Sequence, residues 1–241
     1  MEHTLRLRAF DRRLFLIAAI LFPLIIFIGF SRTYYAKPWF GTPPLPSAVV
    51  HVHAIAMSLW VLLFVVQVRL IASRRVAIHQ RLGWIGAALA AGIILTGVPT
   101  ALRAGKYGSA TFPPDIPSLA FMIVPFFDLL MFTVFFAAAI YFRRRPVQHK
   151  AMMLMTVLNF LPPAIARIPL APLQGLGPLW FFGLPTALGI AAVIADARQR
   201  GHVNRYLLGG LLLLVASYVV RLATMMSDTW LQIATWATSF V

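Results

Sequence analysis

Apolar runs long enough to cross a lipid bilayer recur along this chain, and the turns between them are too short to fold alone. The first run, "LFLIAAILFPLIIFIGF", is followed by further runs of comparable length, each in the range of about 17–25 residues that a membrane-spanning helix needs. It is too long for the apolar core of a secretory signal, and no small-residue cleavage site follows it, so it is read as a helix that stays in the membrane. Composition agrees. Of 241 residues, 61% are hydrophobic and 11% charged, against about 25% charged in soluble domains. The solvent implied for most side chains is lipid.

Counting the runs predicts an all-α, polytopic integral membrane protein of seven transmembrane helices, over 14–31, 48–71, 82–102, 117–142, 150–168, 178–196 and 205–226. Residues 1–241 form one domain with no soluble module. The connectors "AKPWFGTPPLPS", "GKYGSATFPPDIPS" and "PLAPLQGLGP" carry the Pro and Gly of turns. The other three, "ASRRVAIHQR", "FRRRPVQHK" and "DARQRGHVNR", are short and basic. With the N-terminus cytoplasmic, fifteen of the 21 Lys and Arg residues fall on the cytoplasmic side, as the positive-inside rule requires, which places the C-terminus outside. The tail "SDTWLQIATWATSF", with Trp230 and Trp236, suits an interfacial segment on the outer face.

Several functions are excluded. With no cysteine, thiolate metal sites, iron–sulfur clusters and thiol catalysis all fall away. The net charge of +15 is spread in short clusters between spans, which points to anionic lipid headgroups, at about 1 kcal/mol per basic residue, and not to nucleic acid. Lys37, Lys106 and Lys150 lie in loops or at a helix end, so a retinal Schiff base has no candidate despite the seven helices. No HExxH, GxSxG or P-loop pattern occurs, and no residue is read as catalytic.

The polar residues inside the spans are few, and each is costly enough in lipid to be a functional candidate. They are His51, His53 and Gln67 in the second span, Asp128 in the fourth and Asn159 in the fifth. Arg103, Arg167 and Arg221 sit near outer helix ends, where long side chains snorkel to water; Arg167 is kept among the buried polar candidates. On a helix, His51 and His53 differ by about 200° and share a metal only if the backbone is extended. His53, Met57, Trp60, Phe64 and Gln67 lie on one stripe, read as the inward face, so His53 is either a site residue or a satisfied interfacial histidine. Asp128 and Asn159 lie at similar depths on successive helices, and an interhelical hydrogen bond between them competes with a proton-accepting role for Asp128. His79 and His149 both open cytoplasmic helix ends, where neutral imidazole, the ligating form, is favoured. One cofactor fits between them if their helices are neighbours, against the alternative that each meets headgroup phosphates.

The run His53…Trp60…Gln67…His79-Gln-Arg-Leu-Gly, with Asp128, "RRRPVQHKAMM" and "PPAIAR" ending at Arg167, resembles an uncharacterised family of bacterial membrane proteins across about half the chain. That resemblance implies the bacterial cytoplasmic membrane but no activity. More distantly, histidines on successive helices are similar to the transmembrane di-haem b-type cytochromes. The similarity implies His53 as an outer ligand and His79 with His149 as an inner pair. Asp128 stands where an outer haem needs its second histidine, so one haem b, on the inner side, is the cofactor implied. Three readings follow. The first is an accessory or assembly component of a complex with other membrane subunits. The alternatives are a b-type haem electron carrier using His79 and His149, and a small-solute or proton-coupled transporter centred on Asp128, with Asn159 and Gln67.

Overall fold

The computed structural model describes residues 2–42, 45–109, 112–113 and 115–241. Its main helices are α1 (Glu2–Phe30), α2 (Ala48–Ala72), α3 (Val76–Tyr107), α4 (Ile123–Tyr141), α5 (Pro146–Asn159), α6 (Gly183–Arg200), α7 (Arg205–Thr224) and α8 (Asp228–Thr238). Among the described residues there is no strand. One-turn helices at Ser118–Phe121 and Pro178–Phe181 lead into α4 and α6. Six segments are long and apolar enough to cross a membrane, which fits a multi-pass membrane protein: Arg6–Tyr35, Ala48–Ala72, Val76–Tyr107, Ser118–Tyr141, Pro178–Arg200 and Arg205–Thr224.

The expected fifth span, 150–168, is the exception. It is built as α5 and a short helix Leu161–Ile165, with the break at Phe160. Pro162 and Pro163 cause it: neither has an N–H, and their rings clash with carbonyls four residues back, at Leu158 and Asn159. Neither piece is long enough to span alone. Burial explains why this segment resembles its neighbours so little. Ala151, Met152, Leu154, Met155, Thr156, Val157, Leu158 and Asn159 are all buried, so beyond its half-exposed first turn α5 is covered nearly all round, as a helix at the centre of a bundle is.

Three of the other long helices, α6 among them, pack on α5. α4 and α7 lie against it, α2 pairs with α3, and α1 packs on α2 and on Leu161–Ile165. The α4–α5 pair is antiparallel, since His149 meets Ala139 and Asn159 meets Asp128. α1 runs parallel to α5: Asp11 pairs with Lys150, and Gly29 lies where an added Cβ would stand 2.2 Å from the Ala164 carbonyl oxygen. Only glycine permits that approach. Phe22, Ile93, Phe132, Phe135, Met155 and Leu214 fill the core.

Side-chain caps close the N-termini of two helices, α7 and α8. Asn204 Oδ1 accepts from the Tyr206 and Leu207 amides at the start of α7, and Ser227 Oγ accepts from the Trp230 amide at the start of α8. α8 packs on α3 and on Ser118–Phe121. It turns Ala234 into the protein while leaving Ile233 and Trp236 exposed.

Candidate functional site

Two polar centres stand apart in the bundle, one at each end. At the end carrying the basic turns, α3 and α5 begin in the same way. Arg75 and Arg145 precede the helices, and the fourth residue of each is His79 or His149, whose amide bonds the carbonyl of that arginine at 3.1 and 2.9 Å. Packing brings the two imidazoles to 6.4 Å between ring centres, with their planes nearly perpendicular. Nδ1 of His149 is 2.8 Å from the Ala139 carbonyl oxygen. A carbonyl only accepts, so Nδ1 carries the proton and Nε2 keeps a free lone pair. His79 Nδ1 is buried without a partner. Gln67 reaches the same place from α2, its Nε2 donating to the His79 carbonyl oxygen at 3.2 Å while its Oε1 is buried and unpartnered.

At the far end, Asp128 Oδ1 is 2.6 Å from Arg221 Nη1. Arg221 has 0% exposure. Its Nη2 donates to Ser217 Oγ at 3.0 Å and its Nε to the Ser217 carbonyl at 3.2 Å. The guanidinium also lies over Tyr218, Phe182 and Phe127, with 5.1, 5.4 and 5.6 Å to the ring centres. The snorkelling role expected for Arg221 is therefore corrected: the side chain turns into the bundle because a carboxylate waits there. Asn159 does bond to Asp128, but its Nδ2 donates to the Asp128 backbone carbonyl at 2.8 Å and leaves the carboxylate to Arg221. Arg167 donates to the Pro163 carbonyl, lies 4.9 Å from the Phe30 ring centre and is within electrostatic reach of Asp128. Its Nε has no partner.

His51 and His53 do not converge. Both lie within α2, and the helix sends His51 towards the Tyr34 ring, 6.2 Å away, and His53 towards α3. His53 Nδ1 is 3.1 Å from Thr96 Oγ1, whose own proton is committed to the Gly92 carbonyl at 2.7 Å, so the imidazole is the donor. His53 is also fourteen residues before Gln67, roughly 20 Å along the helix, too far to share a cofactor with His79. Among the described residues, no group of three or more His, Cys, Asp or Glu side chains assembles that could hold a bare metal ion.

A third polar cluster, with no candidate in the sequence reading, ties three helices at the basic end. Asp11 of α1 pairs with Lys150 of α5 and, at 2.8 Å, with Arg200 of α6, which also holds Asp196 at 2.7 Å. Two acids and two bases cancel there, as a clamp between helices requires. Asp196 and Arg200 have the i, i+4 spacing that would have marked them; nothing local marks Asp11.

No family model matches the chain. No curated protein and no solved structure matches it either, so function has to be argued from the geometry alone.

Proposed function

We propose that the protein is a membrane electron carrier that binds one haem b between His79 and His149. The observation that carries this reading is the convergence of two histidines, seventy residues apart, at 6.4 Å between ring centres. With a metal–imidazole bond of about 2 Å each, two ligating rings would stand roughly 6 Å apart, so His79 and His149 would be the residues that hold the iron. A porphyrin supplies four of the six ligands, so two histidines suffice where a bare metal would need more. The residues fit the group in a second way. His149 already donates Nδ1–H to a backbone carbonyl, the arrangement that orients a ligating imidazole and sharpens its basicity. α3 packs on α2 and α4, and α5 on α4 and α7, so the two rings approach from helices that do not pack closely together.

When bound, the haem would supply reversible one-electron chemistry. The chain would set its properties: His79 and His149, both half-buried at the edge of the bundle, would hold it, and Arg75 and Arg145 would place cationic charge beside the site. The Asp128 centre offers less for chemistry, because its carboxylate is committed to Arg221 inside a packed core.

We also read the chain as crossing the bacterial cytoplasmic membrane seven times, N-terminus inside. Support comes from the antiparallel α4–α5 pair: α5 with Leu161–Ile165 covers the same depth as the apolar Ser118–Tyr141 segment. The basic turns would then all lie on one side. The chain contains no cysteine, so single cysteines report topology directly. Arg144→Cys should label only from the cytoplasmic side and Gly175→Cys only from outside; labelling of both from one side removes the seventh crossing.

The function is tested on detergent-purified protein, as isolated and after haem addition, in oxidised and dithionite-reduced spectra. A sharp b-type reduced band at one haem per chain is expected, lost in His79→Ala and in His149→Ala and kept in His53→Ala. A colourless protein, or a band that survives His149→Ala, overturns the reading and returns the chain to the accessory or assembly role.

A further inference from the structure

The first turns of α5 and α7 stand side by side at the basic end. Val147 and Asn204 line one small cavity there. Farther along, Gly210 of α7 leaves room for Met152 and Met155 of α5: an added Cβ would stand 2.7 Å from Met155 Cγ and 3.2 Å from Met152 Cε. The two helices are therefore parallel and in step, which sets Arg145 and Gln148 beside Arg205 and Tyr206. Tyr206 is the centre of this group. Its ring meets Phe142 edge-on, with 5.3 Å between centres, and the Arg205 guanidinium lies over it at 5.0 Å. Arg205 Nη2 donates to the Tyr206 hydroxyl at 3.1 Å. Gln148 is within hydrogen-bonding reach of the same hydroxyl, and Arg145 is within electrostatic reach of it.

Donors outnumber acceptors in this group. An arginine only donates, so the proton of the Tyr206 hydroxyl stays available to an acceptor, and the Gln148 amide brings two more N–H bonds. Among the described residues, neither Arg145 nor Arg205 has a carboxylate partner. Asp11 and Asp196, which lie at this end, are taken by Lys150 and Arg200. That clamp is neutral, so it leaves two uncancelled positive charges beside one hydroxyl. Arg145 and Arg205 are exposed, whereas Gln148 and Tyr206 are half-buried. Such a layout suits a shallow site for an oxyanion, whose oxygens accept from guanidinium and hydroxyl together. The group also lies where apolar helices begin, the level at which a tyrosine sets its ring against hydrocarbon and its hydroxyl among headgroups.

We infer that Arg145, Arg205, Tyr206 and Gln148 bind the phosphate of one anionic phospholipid, seated between the first turns of α5 and α7. A basic recess between helices at this depth recognises a headgroup more closely than scattered surface charge does. The site stands apart from any haem, because it uses neither His79 nor His149.

The test uses detergent-purified protein stripped of lipid, with phosphatidylglycerol, zwitterionic phosphatidylcholine or inorganic phosphate added and binding read by native mass spectrometry. One phosphatidylglycerol per chain should be retained under conditions that remove phosphatidylcholine. Its affinity should fall about thirtyfold in Arg145→Gln with Arg205→Gln, which removes two basic contacts. It should hold in Arg12→Gln with Arg13→Gln, which removes the same charge from exposed positions on α1. Tyr206→Phe keeps the ring against Phe142 and loses only the hydroxyl, so it should weaken binding by a smaller factor. If the Arg145 and Arg205 double variant does not fold, Tyr206→Phe decides, and unchanged affinity there overturns the inference. Equal losses in the two double variants, or equal retention of the two lipids, also overturn it. Inorganic phosphate that binds where phosphatidylglycerol does not overturns the lipid as the source of the anion.

Discussion

The two ends of the bundle solve opposite problems with buried polar groups. At the far end, unlike groups meet: the Asp128 carboxylate is closed by the Arg221 guanidinium, and Ser217 takes two of the remaining donors. At the basic end, like groups meet. Two imidazoles face each other at 6.4 Å, and neither can neutralise the other. A salt bridge is complete within one chain, whereas two neighbouring imidazoles keep nitrogen lone pairs that neither can use on the other. That difference separates a centre that holds helices α4 and α7 together from one proposed above to receive a ligand. The far-end pair need not be strongly stabilising in itself, since desolvating both charges offsets much of their attraction. Its weight lies in what happens when one partner is lost.

The largest expected effect therefore comes from breaking the ion pair on one side only. Asp128→Ala or Arg221→Met leaves an uncompensated buried charge and should cost about 3–5 kcal/mol, read as loss of the monodisperse peak and a lower unfolding temperature in detergent. The double variant Asp128→Leu with Arg221→Met should recover most of that loss. If it unfolds as badly as the singles, the charges do more than pair with each other. Next comes Asn159→Ala, which removes a fully buried donor from the Asp128 carbonyl and should cost about 1–3 kcal/mol. His53→Ala loses one partly buried hydrogen bond to Thr96, worth about 0.5–1.5 kcal/mol, with no change in any haem spectrum. The smallest stability effect is expected at the histidine pair: His79→Ala and His149→Ala should each cost about 1 kcal/mol or less in the unloaded protein while abolishing pigment. A loss of several kcal/mol there would make the pair structural and erase the contrast between the two ends.

Much of this arrangement is legible in the chain, and the limits have physical causes. The juxtaposition of His79 and His149 could be anticipated because both follow a basic turn at the start of a helix, and turns on one side of a membrane share a depth. The divergence of His51 and His53 follows from helix geometry alone. Arg221 was harder. Its place near a helix end suggests snorkelling, yet Leu207, Leu211, Leu214 and Tyr218 precede it at helical spacing and are all buried, so the same stripe carries it inward. Reading that stripe as the buried face would have found the partner of Asp128. Asp11 offered no such signal, since its pairing with Lys150 and Arg200 depends on how α1 leans across α5 and α6.

What the amino-acid order determines by itself is local: which segments are helical, that their solvent is lipid, where Pro and Gly interrupt them, and which side chains share a stripe. These follow from backbone sterics and from the cost of leaving a peptide group unbonded in hydrocarbon. Tertiary structure decided the rest: the burial of α5 nearly all round, the choice of Arg221 over Asn159 as the carboxylate's partner, and the meeting of Gln67 with His79 and of His79 with His149. Each depends on the rotation of one packed helix against another. Apolar side chains drive that rotation through shape as well as hydrophobicity, and lipid, being as apolar as they are, supplies no pattern in the sequence that would reveal it.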